Sequence, residues 1–538
     1  MARFSDLFSQ AQTRIEALTE VQEPLRTLPS ILETAEKQGG LSVEDAASLL
    51  AWGHDPSRRK EILAAAKQVR QRVAGKTVEF IIPVYLTSFC RNDCLYCGYR
   101  KSNPLAERVR LSLEDLGREL DLILSWGHRQ IELVLSDDAE LGADKLVSYV
   151  ELTRQKLEAV GGGVVAVCSP VYEEADYHRL RAAGLHWVVE WQETYHQPHF
   201  DRWHFSGSPK RHYQFRLDLW DRTIAAGLTR FGMGVLLGLY AWPFDVLAVI
   251  EHGNYLRQTY GLHPHAIGIP RLKAARGVLA TQRPSRFTVS DEDYRFIVSI
   301  YHLAFPRSRL FFNTREDYQF NLSMVAGGDL FTVDCETLPG GYSRGHLPGQ
   351  FSTHSYPPRR EVVAALEQRG FSCRYLAEER ETPQTPSRSR RAGLDVERWA
   401  REHEQIRART RDFELELSRS VATPPAERQA AAAVLRTILE FFSTVVIEHC
   451  RNTETFLSPA LEQDARHDLR AYHERFGVDL DKFERQIASY ELSGDPTVLG
   501  MLGNRILREF REHLGAEEEL LGDWSGAASL SPGRKMRT

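Results

Sequence analysis

Three of the chain's seven cysteines fall within eight positions, in Phe89-Cys90-Arg91-Asn92-Asp93-Cys94-Leu95-Tyr96-Cys97-Gly98-Tyr99. Thiolates this close together grip metal. Gaps of three and two residues let one loop cover three corners of an iron–sulfur cubane, and because a closed four-iron cluster takes four cysteines, one iron is left open to another ligand. The competing chemistry is a zinc knuckle completed by a histidine or by Cys168, Cys335 or Cys373. A second set of candidate ligands lies near the C-terminus as an internal repeat. His403-Glu404 stands nine positions before Phe413, and His473-Glu474 nine before Phe483; Glu448-His449 with Glu454 and Leu457 is mirrored by Glu512-His513 with Glu517, Glu518 and Leu521. A histidine and a carboxylate four residues later share one helix face, and ligands converging from four helices are how di-iron bundles are built.

Two kinds of element must position these groups. Residues 1–75 read as a helical segment, with Ser42 capping a helix ahead of Glu44 and Asp45 and a further helix from Ser57 to Ala74. From about Val78 to Tyr375, short apolar runs (Gln130 to Leu135, Gly163 to Val167, Trp187 to Glu190, Gly232 to Leu239) alternate with amphipathic stretches (Ser112 to Trp126, Gly142 to Ala159). That rhythm predicts an α/β fold with a parallel sheet, closing as a (β/α)8-type barrel over residues 76–376, with ligands at the C-terminal strand ends and the cysteine loop after the first strand. Gly232-x-Gly234 lacks the third glycine of a dinucleotide loop and reads as a strand closely approached by other backbone or ligand. Pro383 to Ala392, rich in Pro, Ser and Arg, marks a linker within 377–394. Beyond it the periodicity is helical, in blocks near 395–422, 426–459, 465–492 and 495–521, which predicts an all-α four-helix bundle over 395–524 and a flexible tail at 525–538.

At 538 residues the chain exceeds what one core supports, so two or three domains are expected. A net charge of -5 over that length gives no reason to expect nucleic acid or an anionic membrane as partner. No run approaches the eighteen apolar residues of a membrane span, and Met1 to Glu20 is amphipathic without the apolar core of a secretory signal. An odd number of cysteines, three of them clustered, fits a reducing compartment, and the expectation is a cytoplasmic protein.

The run Cys90 to Arg100 resembles the radical S-adenosylmethionine enzymes, in the branch that holds 2-iminoacetate synthase, the tyrosine lyase of [FeFe]-hydrogenase maturation and the tryptophan lyase of nosiheptide biosynthesis. Collinear motifs carry the resemblance: Trp191-Gln192-Glu193-Thr194-Tyr195, Gly207-Ser208-Pro209-Lys210, Arg216-Leu217, Ile269-Pro270-Arg271-Leu272, Asn313-Thr314-Arg315-Glu316 and Pro339-Gly340-Gly341-Tyr342. It implies a [4Fe–4S] cluster on Cys90, Cys94 and Cys97, whose open iron chelates S-adenosylmethionine; one electron from a reductase, ferredoxin or flavodoxin then releases a 5′-deoxyadenosyl radical. By the same resemblance, Tyr96 and Tyr99 flank the cluster or adenine, and Asp137 stands where the branch has a Gly-Glu pair contacting the cofactor's amino group. Glu193 corresponds to the ribose-binding acid and Arg216 to the arginine that pairs with the cofactor carboxylate; the structural alternative for both is an internal ion pair. Arg315, with Tyr99 in the catalytic set, is the expected clamp for the substrate's carboxylate. The substrate implied is an aromatic L-amino acid, tyrosine first, cleaved at Cα–Cβ to p-cresol and dehydroglycine. The branch's usual Ser-Ala-Gly-Ser segment is replaced by Thr332-Val333-Asp334-Cys335-Glu336, a departure on the substrate side.

The maturation-type activity needs a further cysteine-ligated cluster near the C-terminus, and residues after 376 offer only Cys450. A non-enzymatic alternative is an iron or dioxygen sensor carried on a decayed barrel, against which the intact Cys90, Cys94, Cys97, Glu193, Arg216 and Arg315 argue. The C-terminal repeat resembles the hemerythrin-type HHE cation-binding domain, which implies a non-haem di-iron site on His403, His449, Glu454, His473, His513 and Glu517; Thr453 departs from it, at the position matched by Glu517.

Overall fold

An apolar run from residue 77 to residue 87 forms two strands, β1 (Thr77–Phe80) and β2 (Ile82–Thr87), parted only by Ile81. The computed structural model of the chain describes residues 3–376 except 206, 283–284, 345–348 and 355, and in the C-terminal part residues 428–447, 449, 463–493 and short stretches between 406 and 510. It divides into two units, Met1–Pro383 and Gln384–Thr538.

In the first unit β2 pairs with β3 (Gln130–Leu135), and the sheet continues through β4 (Val164–Cys168), β5 (Trp187–Val189), β6 (Phe231–Gly234), β7 (Ala266–Gly268), β8 (Arg309–Phe312) and β9 (Asp329–Phe331), all parallel. β9 then pairs with β1, and the Ile81 N–H donates to Phe331 O at 3.1 Å across the break. Because β1 and β2 are contiguous in the chain, the last strand returns to the first. Counting them as one, the sheet is an eight-membered barrel of the (β/α)8 type. A short β10 (Ser372–Arg374) adds to the free side of β1.

Strand alternation separates two cores. On β3, Ile131, Leu133 and Leu135 join the large outer core beneath the helices, so Gln130, Glu132 and Val134 face the barrel interior. Inside lie Ile81, Ala166, Trp187, Val189, Phe311 and Leu330. The helix Leu113–Ser125 shows how a crossover is made: Ser112 accepts from the Asp115 N–H while Asp115 returns to the Ser112 N–H, and Leu116, Leu120, Ile123 and Leu124 are buried on one stripe. Each such side chain stabilises by roughly 1.5–3 kcal/mol. Ser42 caps Val43–Trp52 in the same way. The run 232–239 is shorter as a strand than expected: β6 stops at Gly234, and the chain turns into a loop whose Leu236 N–H donates to Glu193 O at 2.8 Å. The close approach expected at its glycines is present, since a Cβ on Gly234 would stand 2.2 Å from Gly268 O. The amphipathic start is the helix Phe4–Thr19, with Phe4 stacked on His252 at 3.7 Å.

In the second unit the helices Arg428–Phe441 and Gln463–Ser493 fall in the second and third expected blocks, and the first runs into a π-helical turn, Phe442–Val446. Phe413 and Phe483, the repeat-related aromatics, share one core with Phe442, Phe476 and Phe510.

Candidate active site

The cysteine loop leaves β2 at the C-terminal end of the barrel and is tied down at several points. Arg91 N–H donates to Asp137 O at 2.8 Å, Lys210 N–H to Asn92 Oδ1 at 2.9 Å, and Gly98 N–H to Gln350 O at 3.0 Å. A Cβ on Gly98 would come within 2.5 Å of that same carbonyl, so the backbone contact requires glycine here. Arg100 holds Asp93 with two bonds of 2.7 and 2.9 Å. The loop lines a cavity of about 450 Å³ to which Cys90, Cys94 and Cys97 all contribute. Burial pushes the Cys90 thiol up to about 11 and the Cys94 thiol up to about 12, and neighbouring thiols of the set add to both shifts. Three thiols from one loop facing a single cavity are the donor set that an iron–sulfur cluster takes. Among the described residues no three His, Cys, Asp or Glu side chains are already gathered as a metal-ligand group.

Tyr96 and Tyr99 both reach this cavity with their hydroxyls engaged. Tyr96 OH pairs with His204 Nε2 at 2.8 Å; since His204 Nδ1 faces Phe200 O at 2.7 Å, that nitrogen carries the hydrogen and Nε2 accepts. Burial holds His204 down at about 3, which keeps it neutral. Tyr99 is buried and donates to Thr337 O. Asp137 lines the cavity, with one carboxylate oxygen accepting from Arg91 at 2.6 Å and the other from Asn92 at 3.1 Å, so the acid that the sequence offers to a cofactor amine also anchors the cysteine loop.

Glu193 and Arg216 stand on the same cavity. Glu193 is buried with φ 71°, a left-handed backbone that a non-glycine residue holds only under constraint and that concentrates at functional sites. Burial opposes its charge, yet Lys210, 2.6 Å away, and Arg216 hold its carboxyl below the ordinary value. Arg216 donates to Glu190 and, at 2.6 Å, to Trp191 O, while its buried Nε has no hydrogen-bond partner. The internal pairs anticipated as the structural alternative are therefore present, as Lys210–Glu193 and Arg216–Glu190.

Arg315 differs from both. Its guanidinium lies 3.4 Å above the Phe351 ring and has no ion pair or side-chain hydrogen bond among the described residues. Burial lowers its pKa from the ordinary value, while Tyr85 and Glu193 favour its charge. The replaced segment supplies Thr332 and Cys335 to the lining, and burial pushes Cys335 up to about 12.

Four contributors were not assigned from the sequence. Lys210 lies within a recognised motif, yet its pairing with Glu193 is made only when the β5–β6 connection folds back over 17 residues. Gln350 receives the Tyr85 hydroxyl on Oε1 at 3.1 Å and points Nε2 to Cys97 Sγ at 3.4 Å. Glu190 and Glu132 are acids at interior positions; Glu132, a charge in the middle of the apolar run Gln130–Leu135, was the visible signal.

In the second unit His449 is buried, 1% exposed, three residues beyond the π-helical turn. His473 lies on the helix Gln463–Ser493. His403, Glu454, His513 and Glu517, and the side chain of His473, lie outside the described residues.

A barrel with a three-cysteine loop at its C-terminal mouth and a charged cavity beneath it defines a radical S-adenosylmethionine enzyme. The chain is 30% identical over 345 residues to 2-iminoacetate synthase of Escherichia coli (strain K12), which covers 63% of this chain and 88% of that one. Among solved structures, the FeFe-hydrogenase maturase HydG from Carboxydothermus hydrogenoformans superposes with a TM-score of 0.62 at 25% identity, covering 82% of this chain and 98% of that one. A crystal structure of methylornithine synthase (PylB) shares the fold, with a TM-score of 0.51 at 17% identity over 64% of this chain and 97% of that one. Residues 394–525 match the family model described as Hemerythrin HHE cation binding domain. The chain belongs to the 2-iminoacetate synthase branch of radical S-adenosylmethionine lyases and carries a hemerythrin-type domain C-terminal to the barrel in sequence. Among the described residues, no helix is long and apolar enough to cross a membrane.

Proposed function

We propose that the barrel cleaves an aromatic L-amino acid, tyrosine first, held by its carboxylate at Arg315. The observation that carries this reading is an arginine facing the cysteine-lined cavity without an acidic partner among the described residues, while the other cavity arginines, Arg91 and Arg216, are paired. A [4Fe–4S] cluster with S-adenosylmethionine supplies one-electron cleavage of the cofactor and hydrogen-atom abstraction from the substrate. The chain's own residues then bind and orient. Cys90, Cys94 and Cys97 would hold the cluster; Glu193 accepts from vicinal ribose hydroxyls, fixed by Lys210; Arg216, on the cavity wall, pairs with the cofactor carboxylate; Tyr96 and Tyr99 wall the site. Aromatic side chains at Trp191 and Phe311, 6.3 Å between centroids, suit an aromatic ring. The test is anaerobic reconstitution with cofactor and reductant, reading 5′-deoxyadenosine against a panel of amino acids. Aromatic members should stimulate it, and a chain stimulated only by non-aromatic ones would refute the reading.

The second unit, we infer, holds a non-haem di-iron site on His403, His449, His473 and His513 with Glu517 and Glu454, occupied unevenly because Thr453 offers no bridging carboxylate. The family match and the burial of His449 support it. In a full-length chain carrying alanine at Cys90, Cys94 and Cys97, which removes the cluster's iron from the count, bound metal should remain. His473→Ala with His513→Ala should then lower it several-fold. A chain that takes up no iron, manganese or zinc in this background would make the domain a structural module.

A further inference from the structure

Buried acids in this barrel are satisfied as a rule. Asp329 accepts from the Ala326 and Gly327 N–H groups at 2.9 and 3.1 Å and faces His302 and Arg70; Asp245 accepts from Thr194 and the Tyr195 N–H; Glu119 accepts from the Tyr342 and Ser343 N–H groups at 3.1 and 2.9 Å. Glu132 breaks the rule. Its side chain is on the interior face of β3, 4% exposed, and makes no hydrogen bond or ion pair among the described residues. Its neighbours in register cannot help: Pro83 on β2 and Ala166 on β4 carry no polar side-chain atom, and Gln130, one interior step back, gives its amide to Phe80 O at 3.3 Å. The charge it senses is Glu190, of the same sign and already engaged by Arg216. Burial, with Glu190 adding, pushes the Glu132 carboxyl up to about 8. A carboxyl so placed costs stability unless something completes it.

What can complete it is set by the cavity, whose lining includes both Glu132 and Arg315. One unpartnered cation and one unpartnered carboxyl thus open on a single space of about 450 Å³, with Trp191 and Phe311 also in its wall. Trp191 fits there because Gly268 leaves room: a Cβ at that position would stand 2.2 Å from the indole. An amino acid anchored at Arg315 can complete Glu132 by placing a ring-borne donor against it.

Building on the aromatic-lyase reading, we propose that Glu132 is the specificity-determining residue of this cavity, its carboxyl accepting a hydrogen bond from an O–H or N–H carried on the substrate's ring. The substrate class is then a donor-bearing aromatic amino acid, a phenol or an indole, selected over phenylalanine. A carbonyl oxygen of the neutral acid accepts from either donor, and a site that loses its partner when the donor is absent discriminates strongly.

The test uses the reconstituted full-length enzyme with tyrosine, tryptophan, phenylalanine and lysine, reading kcat/KM for 5′-deoxyadenosine formation. The wild type should prefer tyrosine or tryptophan over phenylalanine. Glu132→Met should lower kcat/KM for the preferred substrate by roughly 10- to 100-fold while phenylalanine holds or improves, and Glu132→Gln, whose amide oxygen accepts the same bond, should keep the preference. A second measurement depends on no variant's folding: the infrared carboxylic-acid carbonyl band should shift on binding the preferred substrate and stay put with phenylalanine. Equal losses for all aromatic substrates in Glu132→Met, an unchanged preference, or an unmoved band would overturn the proposal while leaving the aromatic-lyase reading standing. Stimulation by lysine alone, abolished by Glu132→Gln, would overturn both by assigning the acid to a cationic side chain.

Discussion

Replacing any one of Cys90, Cys94 and Cys97 with alanine is expected to reduce cofactor cleavage to the level of a protein-free control. Three thiolates leave one iron open, and two do not hold a cubane in register against solvent. The structure shows how these sulfurs are held: Cys94 is 5% exposed and Cys97 is met by the Gln350 amide. Cys168 and Cys335 line the same cavity but sit on β4 and beyond β9, parts of the scaffold that cannot slide toward the loop. The measurement is iron and sulfide content with the visible absorption of the anaerobically reconstituted variants, followed by 5′-deoxyadenosine yield. A single-cysteine variant that retains a full [4Fe–4S] complement and normal cleavage would remove that cysteine from the ligand set, and a wild-type protein that binds only zinc after iron–sulfide treatment would restore the zinc knuckle.

Arg315 is expected to give the second largest effect, and a selective one. Removing one member of a buried, hydrogen-bonded charge pair costs about 2–5 kcal/mol, so Arg315→Leu should lower amino-acid-dependent kcat/KM by roughly 30-fold to a few thousand-fold. Arg315→Lys should also fall short, because an ammonium keeps the charge but loses the planar two-pronged donor that matches a carboxylate. Slow cleavage of the cofactor without substrate should survive in both variants, since the cofactor carboxylate is assigned to Arg216, on the short helix Tyr213–Leu217 between β5 and β6. The stacking on Phe351 supplies the control: Phe351→Leu loosens the guanidinium without discharging it and should raise KM more than it lowers kcat. Equal loss of coupled and uncoupled cleavage in Arg315→Leu would place this arginine in the cofactor site or in the fold.

Much of the scaffold was legible because it is local. The run Gln130 to Leu135 is a strand at those bounds, Ser42 and Ser112 cap the helices they precede, and the cysteine loop follows β2 as its position required. Capping and strand alternation depend on neighbours a few residues apart, which a linear reading contains. The run 232–239 was overread: hydropathy continues to Leu239, yet β6 ends at Gly234 where the chain leaves the barrel to pair with Glu193 and Pro270. Apolar residues in a buried loop look like strand until the partner is known.

The sequence by itself determined the three-cysteine spacing, the parallel barrel and the helical C-terminal part, since ligand spacing and hydrophobic period are properties of the chain read in order. Which charges are spent was decided only by tertiary structure. Glu193, Arg216 and Asp137 look alike in sequence to Arg315 and Glu132, as single charged residues near strand ends or within apolar runs. Folding gives Lys210 to Glu193, Glu190 to Arg216 and Arg91 to Asp137 across separations of 17, 26 and 46 residues, and leaves Arg315 and Glu132 facing the cavity without partners among the described residues. That sorting follows from how the segments beyond the strand ends fold together at the mouth of the barrel, and a buried charge acquires its function from whether that neighbour is there.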